Sequence, residues 1–380
     1  MNTDPRPSIP TENPDAPFTT DPVIRPGNPD DEWAASPEEL DISGLPGVTE
    51  GSRPAYHDPR RIECRRVFST VGVAMIVLSC AILVGQVVLS IILGMLVPSA
   101  ATAWWPNWVL SLVPLYAIGL PLVLYCLRTV SPAPHNPYCH IQGERVEKKK
   151  LSLKEGLILV SLSFGCMQIG SLIGNYIMNI ASILSGYDYT NSLNTLVDTT
   201  PAYVTFIGVC IIAPFGEEFI FRKLLIDRTR RFGDTAAILT SGVLFGLFHS
   251  NIYQLFYATF LGIVLAYLYT RTGKYLLCVG LHSLVNLTGT FLLPTLSAYL
   301  PADENAVMSL SQTAAMLFLL LWIYGFMIAT VVFLCTRTSK RQVSRAPRAL
   351  VRSDVIANPG MLVALILMTL LTLAVFIPLG

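Results

Sequence analysis

Seven apolar runs, each about as long as a membrane-spanning helix, dominate the sequence. They cover residues 67–97, 104–127, 155–184, 202–222, 275–294, 313–336 and 360–380. A helix needs about 20 apolar residues to cross the hydrocarbon layer of a bilayer, so this repetition predicts a multi-pass membrane protein. The composition agrees, because only 13% of the residues are charged, against about 25% in soluble proteins.

Two shorter apolar stretches lie between residues 236 and 270, on either side of the polar break "HSNIYQ". We interpret them as a helical pair that is short or re-entrant. With the seven longer runs they predict an all-α polytopic membrane protein with about nine transmembrane helices and an intramembrane cavity.

Lysine and arginine alternate between the loops. They gather in segments 59–66, 145–150, 228–231, 271–274 and 337–348, whereas loops 98–103, 185–201, 250–255 and 295–312 contain none. Because basic residues favour the cytoplasmic side, this alternation predicts an integral membrane protein with its N-terminus in the cytoplasm and its C-terminus outside.

Four regions follow from these patterns. Residues 1–59 are acidic and rich in proline, with few large apolar residues, which predicts a disordered cytoplasmic tail. Residues 60–154 hold two helices and a basic cytoplasmic loop, residues 155–294 a membrane core, and residues 295–380 two further helices. The net charge of +1 gives no reason to expect a nucleic-acid partner. The expected partners are the bilayer and a membrane-bound protein or peptide.

Eight cysteines fall in the predicted spans or on the predicted cytoplasmic side, and none forms a CxxC pair. A disulfide framework or a zinc-thiolate site is therefore not expected, and the cysteines are interpreted as small apolar residues.

Two adjacent glutamates, Glu217 and Glu218, lie in one apolar run, within "APFGEEFIFRKLL". An ionised side chain at the bilayer centre costs about 3 kcal/mol. Glu218 and Arg222 are four residues apart, so they share a helix face and are expected to pair. Glu217 points about 100° away around the helix, which leaves its carboxylate available for chemistry.

A proline lies just before these glutamates. Pro214 lacks the N–H that would bond to the carbonyl of Cys210, and with Gly216 it should bend the helix beside Glu217. A simpler interpretation stays open, in which both glutamates mark the cytoplasmic end of the span and Arg222 and Lys223 reach to the headgroups.

Three more polar side chains lie in apolar stretches. "FGLFHS" contains His249, and "GLHSLVN" contains His282 and Asn286 four residues apart on one helix face. A single intramembrane histidine more often makes a hydrogen bond between helices than performs catalysis. Three neighbouring segments with such groups nevertheless favour one polar cavity, which we expect to face the cytoplasm.

This set of residues suits peptide-bond hydrolysis. A buried glutamate can act as the general base that activates water, and a histidine with an asparagine can donate hydrogen bonds to an oxyanion. Alternatively, Glu217, His249 and His282 could ligate Zn²⁺. The motifs of other intramembrane proteases, HExxH, GxGD and GxSG, are missing from the sequence.

The motifs EExxxR, FxxxH and HxxxN, in this order on successive apolar stretches, resemble the CPBP family of intramembrane metalloproteases. That family includes the type II CAAX prenyl endopeptidases and bacterial relatives linked to lysostaphin resistance or bacteriocin processing. The resemblance covers roughly residues 155–294. It implies that Glu217 and His249 activate water, that His282 and Asn286 form the oxyanion hole, and that Glu218 and Arg222 support them.

Other functions stay open. The same groups suit a proton or ion relay in a transporter, and a non-catalytic immunity or scaffold protein could retain them for packing. Neither the substrate nor the need for a metal follows from the sequence.

Overall fold

A computed structural model of the chain describes residues 59–336, apart from residues 134, 136–137, 142–143, 148–149 and 304–305, and residues 352–376. The predicted tail, except for residue 59, and the basic segment 337–348 lie outside the described residues.

The described part is built almost entirely from helices. In chain order they are α1 (Pro59–Leu96), α2 (Trp105–Leu127), α3 (Leu153–Ser185), α4 (Ser192–Thr199), α5 (Ala202–Phe232), α6 (Asp234–Phe248), α7 (Ile252–Thr272), α8 (Tyr275–Ala298), α9 (Leu310–Thr336), α10 (Arg352–Ile356) and α11 (Pro359–Phe376). A short antiparallel hairpin, β1 (Tyr138–Ile141) and β2 (Glu144–Glu147), lies in the loop between α2 and α3.

Eight of the described helices are long and apolar enough to cross a membrane, namely all except α4, α6 and α10. The predicted all-α polytopic fold is confirmed. The predicted ninth helix exists as α6, but its 15 residues rise only about 22 Å, less than the roughly 30 Å hydrocarbon layer. A helical pair was expected between residues 236 and 270. Helix α6 is therefore the short helix of this pair, and the other helix, α7, has spanning length.

Glycines set the closest contacts between the helices around the site. A Cβ on Gly170 of α3 would lie 2.3 Å from the Cα of Tyr257 on α7, and a Cβ on Gly246 of α6 would lie 1.9 Å from the Oγ1 of Thr259. Such distances are impossible for real side chains, so α3, α6 and α7 pack backbone against backbone because these positions are glycine.

Helix α5 lies at the centre of this packing. It contributes Ile220, Phe221, Leu224 and Leu225 to a core shared with α1, α2 and α11, and Ile226 to a second core shared with α3, α7 and α8. A helix buried on both sides can carry a charge only where a partner of opposite charge lies close by, on the same helix or on a neighbouring one.

Helix α5 is not a regular α-helix throughout. Its segments Phe206–Ile212 and Phe219–Ile226 are π-helical, and a single α-helical stretch, Ala213–Glu218, lies between them. Wider turns of this kind change which carbonyl each N–H reaches and are frequent at functional sites. Pro214 itself lies in the α-helical stretch, directly after the first π-helical segment, so the departures from α-helix flank the proline.

Candidate active site

Glu217 and Glu218 lie at the middle of α5, at the end of its central α-helical stretch. Glu218 is completely buried, whereas the side chain of Glu217 keeps 12% of its accessible surface. The two neighbours thus occupy different environments, as their angular separation on the helix predicts.

Glu218 and Arg222 form the predicted ion pair. Arg222 Nε lies 2.8 Å from Glu218 Oε2 and Nη2 donates to Oε1 at 3.2 Å, while both side chains are fully buried. Nη1 donates to Ser241 Oγ on α6 at 3.1 Å, and the guanidinium lies 5.1 Å from the centre of the Phe245 ring. The pair is electrically neutral and joins α5 to α6.

Glu218 has a second partner that the sequence did not indicate. The Nδ1 of His282, on α8, lies 3.0 Å from Glu218 Oε1. A carboxylate bound to arginine can only accept hydrogen bonds, so Nδ1 carries the proton. The other ring nitrogen, Nε2, then points towards Glu217, 3.8 Å from its Oε2.

Glu217 lies outside the buried ion pair. Arg222 contacts Glu218, and the Nε2 of His282 lies 3.8 Å from Glu217 Oε2, which is beyond hydrogen-bond distance. Among the residues that the structure describes, Glu217 has no hydrogen-bond partner, so its oxygens are available to a water molecule or a substrate.

His249 follows the last residue of α6 and is held by the phenylalanine of its own motif. Its Nδ1 lies 2.8 Å from the carbonyl oxygen of Phe245, which fixes the proton on Nδ1 and leaves Nε2 as an acceptor when the ring is neutral. The Phe245 ring stands edge-on to the rings of both His249 and His282, with centroids 5.1 Å and 5.7 Å apart. Phe245 therefore joins the two histidines.

Asn286 lies one turn beyond His282 on α8, and its amide Nδ2 donates to the carbonyl of Val209 on α5 at 2.8 Å. In the π-helical register Ala213 N–H bonds to Gly208 O, so Val209 O would be paired with residue 214. Pro214 has no N–H to give. The Asn286 amide thus serves the carbonyl of Val209, and the expectation that proline frees the carbonyl of Cys210 stays a prediction.

Three tyrosines complete the site and were missed by sequence analysis. Tyr275 Oη donates to Phe215 O at 2.5 Å, and Tyr116 Oη donates to Ile212 O at 3.3 Å. Tyr257 is partly buried and accepts a hydrogen bond from Gln254 Nε2 at 2.8 Å. Tyrosine is common in membrane spans, and these three tyrosines belong to none of the three motifs. Only the packing of α2, α7 and α8 on α5 therefore reveals them.

The structure thus places the predicted residues around one point. Glu217, Glu218, Arg222 and His282 form a continuous cluster, His249 joins it through Phe245, and Asn286 adjoins it with one N–H committed to Val209. In the described part of the chain, no three His, Cys, Asp or Glu side chains are grouped so that they could hold a metal ion. As placed, Glu217, His249 and His282 therefore do not fit a zinc site.

The fold and this cluster define a multi-pass helical membrane protein with a buried carboxylate, histidine and arginine site. Residues 199–288, about a quarter of the chain, match the family model "Type II CAAX prenyl endopeptidase Rce1-like". All the residues of the three motifs lie inside this match, so the resemblance predicted from them is confirmed.

One curated relative extends the comparison. The Bacillus subtilis (strain 168) protein named "Putative membrane peptidase YdiL" is similar to this chain, with 28% identity over 171 residues. The alignment covers 44% of this chain and 64% of that protein, which is less than two thirds of its length. No solved structure matches the chain.

Proposed function

We propose that this protein is an intramembrane endopeptidase that hydrolyses a peptide bond of a membrane-associated protein or peptide. The observation that carries the proposal is the contact chain Arg222, Glu218, His282 and Glu217, which holds one carboxylate in a neutral pair and aims a histidine at the other. The match to the endopeptidase family model over residues 199–288 supports this assignment.

Glu217 acts as the general base. It takes a proton from a water molecule while the water oxygen bonds to the carbonyl carbon of the scissile peptide. His249 Nε2 accepts the second O–H of that water and orients it, because its Nδ1 is committed to Phe245. Glu217 then gives its proton to the leaving nitrogen as the C–N bond breaks, which yields a carboxylic acid and an amine.

His282 and Asn286 stabilise the oxyanion that forms in between. An imidazolium at His282 keeps one N–H on Glu218 and presents the other to the oxyanion. Asn286 uses one of its two amide hydrogens on Val209 and has the second available. Donors held in fixed positions contribute about 3 kcal/mol each to such a transition state. Glu218 and Arg222 act as positioning residues.

No step of this mechanism passes through a metal. The zinc alternative, with Glu217, His249 and His282 as ligands, requires these donors to move closer together than they lie here. If a zinc ion bound there, it would polarise the scissile carbonyl. The metal content of the purified protein, compared between wild type and a His249→Ala variant, separates the two versions.

The substrate is proposed only as a class. A CAAX-type protein and a bacteriocin-like peptide are the two candidates that the family resemblance suggests.

The decisive experiment compares the membrane peptidomes, including new C-termini, of cells that express the wild type and Glu217→Gln at matched abundance. We expect a set of fragments found only with the wild type, because glutamine cannot accept the proton of water. Glu155→Gln is the matched control: Glu155 caps α3 through Ser152, and glutamine preserves that cap. Identical fragments with wild type and Glu217→Gln contradict the proposal, and proton-flux measurements in liposomes then test the relay alternative.

A further inference from the structure

Arg271, in the last turn of α7, is a buried cation outside the candidate active site. It is 7% exposed, and its terminal nitrogens Nη1 and Nη2 are enclosed without a hydrogen-bond partner. Among the residues that the structure describes, Arg271 forms no ion pair. A buried charge is costly unless it is paired, so this guanidinium indicates an anionic ligand from outside the chain.

A second buried arginine reaches the same turn of α7. Arg230, near the end of α5, is 4% exposed, and its Nη2 donates to the carbonyl oxygen of Thr270 at 3.3 Å. That carbonyl belongs to the peptide bond that leads into Arg271. Asp227 and Asp234 pair with Arg230 at 3.9 Å, which is beyond hydrogen-bond distance. Its Nε and Nη1 have no hydrogen-bond partner, so both arginines have donors to offer at this turn.

The acidic side chains nearby do not balance the basic ones. Segment 223–232 of α5 and helix α7 together carry five basic residues, namely Lys223, Arg228, Arg230, Arg231 and Arg271. In the described part of the chain three acidic side chains pair with members of this group, namely Glu63, Asp227 and Asp234. Asp227 is also engaged by Tyr269, whose Oη donates to it at 2.9 Å. The surplus is positive, which suits an anion.

The position of the two arginines favours a lipid as the source of that anion. Both lie near the ends of helices of spanning length, which is where a helix leaves the hydrocarbon layer and meets the headgroups. The basic loops predict that this end faces the cytoplasm, and the cytoplasmic leaflet is anionic. Leu276 and Leu277, in the first turn of α8 just after Arg271, are exposed, as expected for side chains that contact acyl chains.

We propose that Arg271, assisted by Arg230, binds the phosphate group of an anionic phospholipid at the end of α7. The planar guanidinium of Arg271 can donate two parallel hydrogen bonds to phosphate oxygens. Its long side chain allows the charged group to turn towards the headgroup layer. This site goes beyond the proposed hydrolysis and does not depend on it.

The test measures the melting temperature of the full chain in a neutral detergent with added phosphatidylglycerol, phosphatidylcholine or inorganic phosphate. We expect phosphatidylglycerol to raise the melting temperature of the wild type more than the other two, because a ligand that binds the native state stabilises it. Arg271→Gln should lose most of this difference. In titrations followed by native mass spectrometry it should bind phosphatidylglycerol about tenfold more weakly, since the charged donor is lost.

Arg66→Gln is the matched control, because Arg66 is an exposed arginine of α1 in the basic segment 59–66. We expect it to keep the full effect of phosphatidylglycerol. Arg271→Lys keeps the charge without the planar donor group and should show an intermediate effect, which also decides the matter if Arg271→Gln does not fold.

Each other outcome overturns the inference. Equal effects of phosphatidylglycerol on the wild type and on both Arg271 variants mean that Arg271 binds no lipid phosphate. An equal effect of inorganic phosphate means that the ligand is a free anion. An equal loss in Arg66→Gln means that lipid responds to the overall surface charge and not to this site. None of these measurements requires catalysis, so they stand whether or not the protein is a peptidase.

Discussion

Glu218 shows how much of the site depends on a single buried side chain. The spacing of four residues predicted its pairing with Arg222, because that relation is local to one helix. Its contact with His282 joins residues 64 positions apart and depends on how α8 packs on α5. Sequence spacing contains no information on that packing, so the orienting role of Glu218 could not be predicted.

Removal of either member of this pair should destabilise the protein. Arg222→Ala leaves Glu218 buried without a counter-charge, which costs about 3–5 kcal/mol, and Glu218→Gln should cost less, because its amide oxygen still accepts from Arg222. We expect a clear drop in the melting temperature in detergent for both, and little change for Glu217→Gln, whose side chain has no hydrogen bond to lose.

Lys223→Ala is the matched control, since its pair with Asp227 is partly exposed and such pairs contribute under about 1 kcal/mol. An unchanged melting temperature for Arg222→Ala contradicts the structural role.

Asn286 and Pro214 should show coupled effects on stability. Asn286→Ala removes the donor to Val209 O, and an unsatisfied buried acceptor costs about 1–3 kcal/mol. Pro214→Ala restores a backbone N–H for that carbonyl, so the asparagine becomes partly redundant. We expect Asn286→Ala to cost clearly less in the Pro214→Ala background, measured as a double-mutant cycle of unfolding free energies. If the effects of the two substitutions on the unfolding free energy were strictly additive, Pro214 would not be the reason that the carbonyl of Val209 needs the Asn286 amide.

At the scale of single helices, the length of the apolar runs predicted where most helices lie. It did not predict the hydrogen-bond register inside a helix. The seven long runs located seven of the eight helices of spanning length, because a spanning helix requires a long apolar stretch. The eighth, α7, lies in the stretch that was interpreted as a short or re-entrant pair. The π-helical segments of α5 were not predicted. Around them α5 packs closely on α2, with Trp108 against Gly208 and Tyr116 against Gly216, and the spacing of residues in the sequence does not indicate such contacts. That register decides which carbonyl Asn286 meets.

Helix packing around the site makes its own prediction. Gly170→Ala would place a Cβ against the backbone of Tyr257, and since backbone cannot rotate away, α3 and α7 must separate. We expect a loss of about 1–3 kcal/mol and a lower melting temperature. Gly280→Ala on α8 is the control, because a Cβ there meets nothing within 4 Å, and alanine favours helix by up to about 1 kcal/mol. Equal effects of the two substitutions would contradict the close α3 and α7 contact.

For the whole molecule, the number of passages through the bilayer decides on which side the C-terminus lies. Eight full spans alone would return the chain to its starting side. Helix α6 is too short to be counted by length. Helix α7, which follows it after a three-residue connection, has spanning length and carries the basic residue Arg271 in its last turn. If α5 and α7 both end on the basic side, the chain through α6 has to return across the membrane, and we therefore predict nine passages.

The topology can be measured directly. A cleavage site for an added protease is placed at the N-terminus in one variant and at the C-terminus in another. In intact cells we expect the N-terminal site to be protected and the C-terminal site to be cleaved. Nine passages place the termini on opposite sides, and basic loops favour the cytoplasm. Inside-out vesicles should give the reverse pattern. Cleavage of both sites from one side would mean that α6 does not complete a passage. The segment around Gln254 would then lie on the same side as the arginines.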